Sequence, residues 1–260
     1  MSMPRALALL AALGLAGCAT FSTGSGSGPR SYADNAKENY ELGEKALADN
    51  DWVTAARYLE FTSAKFPYSE YSPLAELALG DLNFDQEKFV EAVERYRNFI
   101  KMHPSHAKAD YAAFRIAEAY YAQIPSDFFL LPSSAEKDQT DELDALHAYD
   151  TFLIQYPSSE LRPAAQKKVT ELRHRLADHE MRIAQFYLDH QRPLAAVGRY
   201  EGVLQQYAGA GYDGDAALKL YRTYAALKEP DKAKATLKRF LEKHPDDPKA
   251  NEARKLLQKG

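Results

Sequence analysis

The spacing of small residues and prolines predicts an all-α solenoid of five helix-turn-helix units. Three observations carry the prediction. An aromatic-Pro or His-Pro pair recurs at Phe66-Pro67, His103-Pro104, Tyr156-Pro157 and His244-Pro245, with Tyr207-Ala208 in the remaining place. Ahead of these pairs a small residue precedes an alanine by twelve positions, and the alanine precedes the proline by twelve, as in Gly43, Ala55, Pro67 and Gly80, Ala92, Pro104. Turn-forming residues separate the paired segments at Asp49-Asn50-Asp51, His190-Gln191-Arg192-Pro193 and Glu229-Pro230-Asp231.

Taken in order, units 1 and 2 keep both intervals. Unit 3 runs from Ala117 to Ala145 and Pro157, sixteen residues longer between its helices than the others. Unit 4 keeps the spacing as Ala184, Ala196 and Ala208, with proline replaced, and unit 5 places the bulky Tyr221 ahead of Ala233 and Pro245. These intervals match the tetratricopeptide repeat of about 34 residues. Antiparallel helices approach closely where Gly or Ala removes bulk, so Gly80 is expected to face Ala92, with Tyr96 and Phe99 filling the flanks. Proline ends each second helix because it lacks an amide proton and disfavours helix in the residue before it. Most of the seventeen tyrosines and twelve phenylalanines fall at helical spacing and read as core ridges, Phe114, Phe186, Tyr200 and Phe240 among them.

Residues 1–17 read as a lipoprotein signal peptide: Arg5, then an apolar run too short to span a bilayer. The run ends Leu15-Ala16-Gly17-Cys18, a lipobox whose cysteine is the expected site of acylation, and two attached acyl groups would give durable anchoring. Ala19, rather than aspartate, after the cysteine favours the outer membrane. Residues 18–31 are a Gly/Ser-rich flexible tether, and Gly24-Ser25-Gly26-Ser27-Gly28 lacks the strand, Lys and helix of a phosphate loop. Residues 32–160 hold units 1–3 with the insertion at about 122–140, and residues 161–260 hold units 4 and 5. Cys18 is the single cysteine, so no disulfide within the chain is possible. The net charge of −4 becomes −5 once Arg5 leaves with the signal, without the clustered basic excess that nucleic-acid binding needs.

Catalytic patterns are missing from the sequence. His103 and His106 straddle a helix-ending proline with no third ligand at metal spacing, and neither an HExxH helix nor a G-x-S-x-G elbow occurs. His174 and His179 lie in a polar stretch and read as solvated. No cofactor or metal is expected. Binding is: the inward side of first helices in such solenoids lines a groove. By repeat position that side presents Tyr40, Glu44 and Leu47, then Leu77, Asp81 and Phe84, then Phe114, Glu118 and Tyr121. An aromatic groove with carboxylates suits an extended peptide.

Several stretches are more specific than the repeat. Asn50-Asp51-Trp52, Phe66-Pro67-Tyr68-Ser69-Glu70-Tyr71-Ser72, Pro104-Ser105-His106, the insertion with Ser126-Asp127-Phe128-Phe129 and Lys137-Asp138-Gln139, Arg173-His174-Arg175 and Arg199-Tyr200-Glu201-Gly202 together resemble the BamD family, outer-membrane lipoproteins of the β-barrel assembly machinery. The resemblance covers nearly all of the chain after Cys18. It implies a non-enzymatic scaffold facing the periplasm, whose C-terminal half binds the periplasmic repeats of a BamA-like barrel insertase. It also implies an N-terminal half that recognises the aromatic-ended C-terminal strand of unfolded outer-membrane proteins, with further assembly lipoproteins as additional partners. Arg199 matches the family arginine at the BamA contact, with Glu201 beside it, and Phe66 replaces a family tyrosine implicated in substrate recognition. The competing reading is a tetratricopeptide lipoprotein that pilots a secretin or type IV pilus component; the paired Phe and the Arg-Tyr-Glu-Gly segment favour the BamD resemblance.

Overall fold

The computed structural model describes residues 31–125 and 139–259. The signal peptide, Cys18, nearly all of the tether, and the Ser126-Asp127-Phe128-Phe129 and Lys137-Asp138 portions of the insertion lie outside the described residues. Among the described residues the secondary structure is helical throughout: α1 (Ala36–Ala48), α2 (Trp52–Lys65), α3 (Tyr71–Asp85), α4 (Phe89–Met102), α5 (Ala109–Ala122), α6 (Thr140–Gln155), α7 (Arg162–Asp189), α8 (Pro193–Gln206), α9 (Asp213–Ala226), α10 (Pro230–Lys243) and α11 (Ala250–Lys259). Each helix packs on the next in the chain, and α1 also touches α3. The pairs α1/α2 through α9/α10 are the five units expected from the spacing, and α11 follows as a single further helix.

The helices α1 and α2 are started by side chains that satisfy orphan amides. Asn35 accepts from Glu38 N at 2.9 Å, and Asp51 accepts from Thr54 N at 3.2 Å. Proline starts α8 and α10 and sits in the first turn of α7, where its missing N–H is not needed. Four within-pair turns share one geometry. Asn50, Glu87, Gln191 and Lys228 adopt φ of 57°, 59°, 58° and 61°. The next residue's amide then reaches back five positions: Asp51 N to Ala46 O at 2.9 Å, Lys88 N to Asn83 O at 2.9 Å, Arg192 N to Tyr187 O at 2.8 Å and Glu229 N to Tyr224 O at 2.9 Å. This closes the carbonyls at the end of each first helix, although none of the four is glycine.

The second helices bury one repeated triplet. The repeat alanine, the residue four on and the residue seven on form the buried stripe of each: Ala55, Leu59, Thr62; Ala92, Tyr96, Phe99; Ala145, Tyr149, Phe152; Ala196, Tyr200, Val203; Ala233, Leu237, Phe240. Opposite these ridges the first helices are cut back. A Cβ on Gly80 would lie 2.6 Å from the Tyr96 ring, and one on Gly43 would lie 2.8 Å from Leu59. Gly80 therefore opposes Tyr96 itself rather than Ala92, because the ring occupies the space the missing side chain leaves. Phe186, read as a core ridge, is instead 55% exposed near the end of α7, with the His190 imidazole 4.0 Å away.

The helix α7 has 28 residues. Its first half adds Ala165, Val169 and Leu172 to the core of unit 3, and its second half adds Leu176, Met181 and Ala184 to the core of units 4 and 5. This one helix, lying wholly beyond residue 160, thus packs into the cores of unit 3 and of units 4 and 5. Where Ala208 replaces proline, α8 ends at Gln206 and the chain crosses to α9 through Gly209 and Gly211 at φ of 80° and 89°. That crossing is tied down by Gly209 N donating to Asp213 Oδ2 at 2.9 Å and by His174 Nδ1 lying 2.9 Å from Ala210 O. His174 is exposed, as read from the sequence, yet it also makes this contact, with its ring 4.9 Å from that of Tyr212.

Candidate functional site

Across α1, α3, α4, α5 and the start of α7 runs a row of aromatic rings and carboxylates, its centre held by Arg115. Asp81 Oδ1 accepts from the hydroxyls of Tyr96 at 2.6 Å and Tyr111 at 2.9 Å. Arg115, from α5, places Nε 3.3 Å from Asp81 Oδ1 and 3.2 Å from the Tyr96 hydroxyl, and donates from Nη1 to Glu118 at 3.1 Å. Its guanidinium lies 3.6 Å from the centre of the Phe84 ring, and Phe84 meets Phe89 edge-on at 5.3 Å. Further along, the Tyr121 hydroxyl donates to Glu171 of α7, and Lys168 Nζ lies 3.5 Å over the Tyr121 ring. At the other end Tyr40 stands 5.7 Å from the Tyr71 ring.

Burial and mutual repulsion shape the electrostatics of this row. Burial, with Glu44 beside it, pushes the Tyr40 hydroxyl up to about 12. Burial also raises the carboxyls of Glu44 and Asp81, in Asp81 against the opposing pull of the Tyr96 hydroxyl and Arg115. The row is thus a chain of partly dehydrated acceptors and ring faces.

Of the residues predicted for a groove, the structure brings Asp81, Phe84, Glu118 and Tyr121 onto this surface, with Tyr40 electrostatically linked to it through Asp81. Leu77 and Phe114 are not on it. Leu77 is 6% exposed among Ala92, Tyr96 and Phe99, and Phe114 is 8% exposed against Tyr149 and Phe152. Both belong to the core because α3 and α5 are sandwiched between neighbours and bury most of their circumference. Phe66 caps α2, its ring edge-on to Phe61 at 5.9 Å, apart from the row. Arg115, Tyr111 and Lys168 were missed. Their spacing was the available signal, since Tyr111, Arg115 and Glu118 fall on one helical face.

In the C-terminal half, Arg199 and Glu201 point to different neighbours. Arg199 Nη1 binds both oxygens of Glu180 on α7, at 3.1 and 3.2 Å, and its side chain remains 42% exposed. Glu201 faces α9, accepting from the Tyr224 hydroxyl at 2.7 Å. Gly198 and Gly202, one turn apart on α8, have nothing within 4 Å of where a Cβ would stand. His103 Nε2 lies 3.0 Å from Glu76, and its ring and that of His106 both flank Phe99. Among the described residues no cluster of three or more His, Cys, Asp or Glu is placed to hold a metal, and no helix is long and apolar enough to cross a membrane.

The family model described as YfiO, outer membrane lipoprotein, matches residues 32–231. The chain belongs to the YfiO family. Similar relatives include proteins named outer membrane protein assembly factor BamD from Caulobacter vibrioides (28% identity over 229 residues, 87% of this chain and 71% of that protein), Rickettsia prowazekii (29% over 168 residues, 65% and 64%) and Neisseria gonorrhoeae (23% over 235 residues, 88% and 86%). These relatives agree with the resemblance to BamD read from the residues. Among solved structures, the TPR2AB-domain:pHSP90-complex of yeast Sti1 aligns at 12% identity with a TM-score of 0.41, covering 86% of this chain and 83% of that one. A thermophilic TPR protein from Thermus thermophilus aligns at 15% with a TM-score of 0.36, covering 86% and 98%. The YfiO match takes in both the Asp81–Arg115 row and the Arg199–Glu180 pair.

Proposed function

We propose that this chain is a non-enzymatic scaffold of outer-membrane β-barrel assembly, acylated at Cys18 and held at the inner leaflet of the outer membrane facing the periplasm. Its C-terminal half docks the periplasmic repeats of a BamA-like insertase around Arg199 and Glu201. Its N-terminal row receives the aromatic-ended C-terminal strand of an unfolded barrel protein. The observation that carries this reading is the preformed row: Arg115 fixes Asp81, Phe84 and Glu118 at once, so ring faces and acceptors stand ready at little ordering cost. An arriving strand would set aromatic side chains against Phe84 and Tyr121 and donate amides to the carboxylates. Confinement by the tether raises the effective concentration of both partners, so modest affinities suffice.

Family membership and the names of the relatives support the assembly role. The half-exposed Arg199 and the bare strip of α8 at Gly198 and Gly202 support docking, because a partner could approach the α8 backbone there. The test is affinity purification from solubilised outer membranes. A large barrel protein with periplasmic repeats should co-purify, and Arg199→Glu should weaken its recovery while circular dichroism stays unchanged. A secretin ring recovered instead would favour the pilot reading. Separately, Phe84→Ala with Tyr121→Ala should reduce crosslinking to peptides from barrel C-termini, and undiminished crosslinking would remove the row from the reading.

A further inference from the structure

The charge of α10 stands apart from the rest of the chain. It carries Lys232, Lys234, Lys238, Arg239 and Lys243 against only Asp231 and Glu242, whereas the chain as a whole has a net charge of −4. Lys232, Arg239 and Lys243 face a cleft of about 490 Å3 formed by α8, α9 and α10, with Leu204, Leu220 and Phe240 among its apolar walls.

The two ends of the cleft differ. At one end the charges are satisfied within the chain: Glu201 accepts from the Tyr224 hydroxyl at 2.7 Å, and Lys232 binds Glu229 at 2.6 Å while lying 5.6 Å from the Tyr224 ring. About 11 and 17 Å along the helix from Lys232, Arg239 and Lys243 have no ion-pair or hydrogen-bond partner among the described residues, and both are exposed. They are four positions apart on one helical face, an arrangement in which like charges destabilise the helix that carries them unless an anion lies between. His244, the remaining basic side chain of the cleft, is already matched by Asp213 at 3.3 Å.

We infer that this cleft docks an acidic segment of a partner protein. An apolar side chain of the segment rests on Leu204 and Ala235, over the buried Leu220 and Phe240, and a neighbouring carboxylate bridges Arg239 and Lys243. The apolar floor and the cations occupy the same recess, which suits a side chain and its charged neighbour on one polypeptide; a bilayer would engage a flat basic face. The site adds a second contact to the docking half proposed above and holds whether or not Arg199 touches the same partner.

The test uses the mature acylated chain in detergent micelles and a fluorescein-labelled peptide, Gly-Ser-Glu-Leu-Glu-Phe-Glu-Ser, followed by fluorescence anisotropy. A control peptide carries Lys at each Glu. The acidic peptide should bind saturably and the basic one should not. Arg239→Ser with Lys243→Ser should weaken binding at least about tenfold without loss of helicity, and raising salt to about 0.5 M should weaken it in the wild type. The Arg199 contact is read separately, by recovery of the barrel partner with Arg199→Glu in the affinity purification, so failure of this site and failure of that contact are distinguishable. Equal binding of both peptides, undiminished binding by the double variant, or no saturable binding would overturn the inference. So would a double variant whose only loss is binding to phosphatidylglycerol vesicles.

Discussion

Asp81→Ala is the sharpest perturbation of the N-terminal row. It removes the acceptor shared by Tyr96 and Tyr111 and the carboxylate 3.3 Å from Arg115 Nε. Tyr96 is fully buried, so its hydroxyl hydrogen finds no water, and a buried donor left without an acceptor costs about 1–3 kcal/mol. Tyr111 is only half-buried and can turn to solvent, and Arg115 keeps Glu118 at 3.1 Å, so these two add about 1 kcal/mol together. The expected loss is roughly 3 kcal/mol, concentrated at the seam between units 2 and 3 because each repeat contacts only its neighbours. With a urea slope of about 2 kcal/mol/M, the unfolding midpoint followed by far-ultraviolet circular dichroism should fall by about 1.5 M. Asp81→Asn keeps an acceptor and should stay within about 1 kcal/mol of wild type. Because burial raises the Asp81 carboxyl above its unfolded value, its favourable contribution is fully present below about pH 3.9 and fades as pH rises through the folded value. Asp81→Asn should therefore flatten the stability curve over that window. An unchanged midpoint for Asp81→Ala, or strict additivity of Asp81→Ala with Tyr96→Phe, would refute the shared-acceptor reasoning.

Three further outcomes follow from the geometry. Gly198→Ala meets open space in mid-helix and should raise stability by about 0.5–1 kcal/mol in urea titrations, whereas Gly80→Ala drives a methyl into the Tyr96 ring and should lower it by about 1–3 kcal/mol; equal effects would contradict the packing described. Glu87→Gly, Gln191→Gly and Lys228→Gly each relieve a left-handed backbone, a gain of about 1 kcal/mol partly offset by the freer unfolded glycine, so each should raise the thermal midpoint by a few degrees. At Asp178, burial alone would raise the carboxyl, but the Tyr212 hydroxyl at 2.7 Å and Arg182 at 2.7 Å outweigh it and hold the group low. Its contribution is present above about pH 3.9 and lost as pH falls through the folded value, so Asp178→Asn should remove part of the acid sensitivity seen in pH-dependent unfolding.

The repeat was legible because its determinants are local: a glycine or alanine where helices touch, a residue able to turn the chain, and a proline that cannot continue a helix. The inner face was legible only in part. Leu77 and Phe114 were assigned to it by counting positions, yet α3 buries Ala75, Leu77, Ala78, Leu79 and Leu82 almost all round, so no polar stripe marks which side meets solvent. Arg115 went unnoticed because an arginine in a helix usually reads as solvated; its role emerges only when Phe84, Asp81 and Tyr96 arrive from two other helices. The continuity of α7 could have been read from the lack of Gly or Pro between Pro163 and Pro193, but a repeat template divides that stretch in two.

That unbroken helix has a mechanical meaning. At 28 residues it is a strut about 42 Å long whose two halves pack into the cores on either side of it. A tilt imposed near Val169 reappears near Met181, because both side chains ride on the same helix. Whatever grips one half of this molecule therefore has leverage on the other.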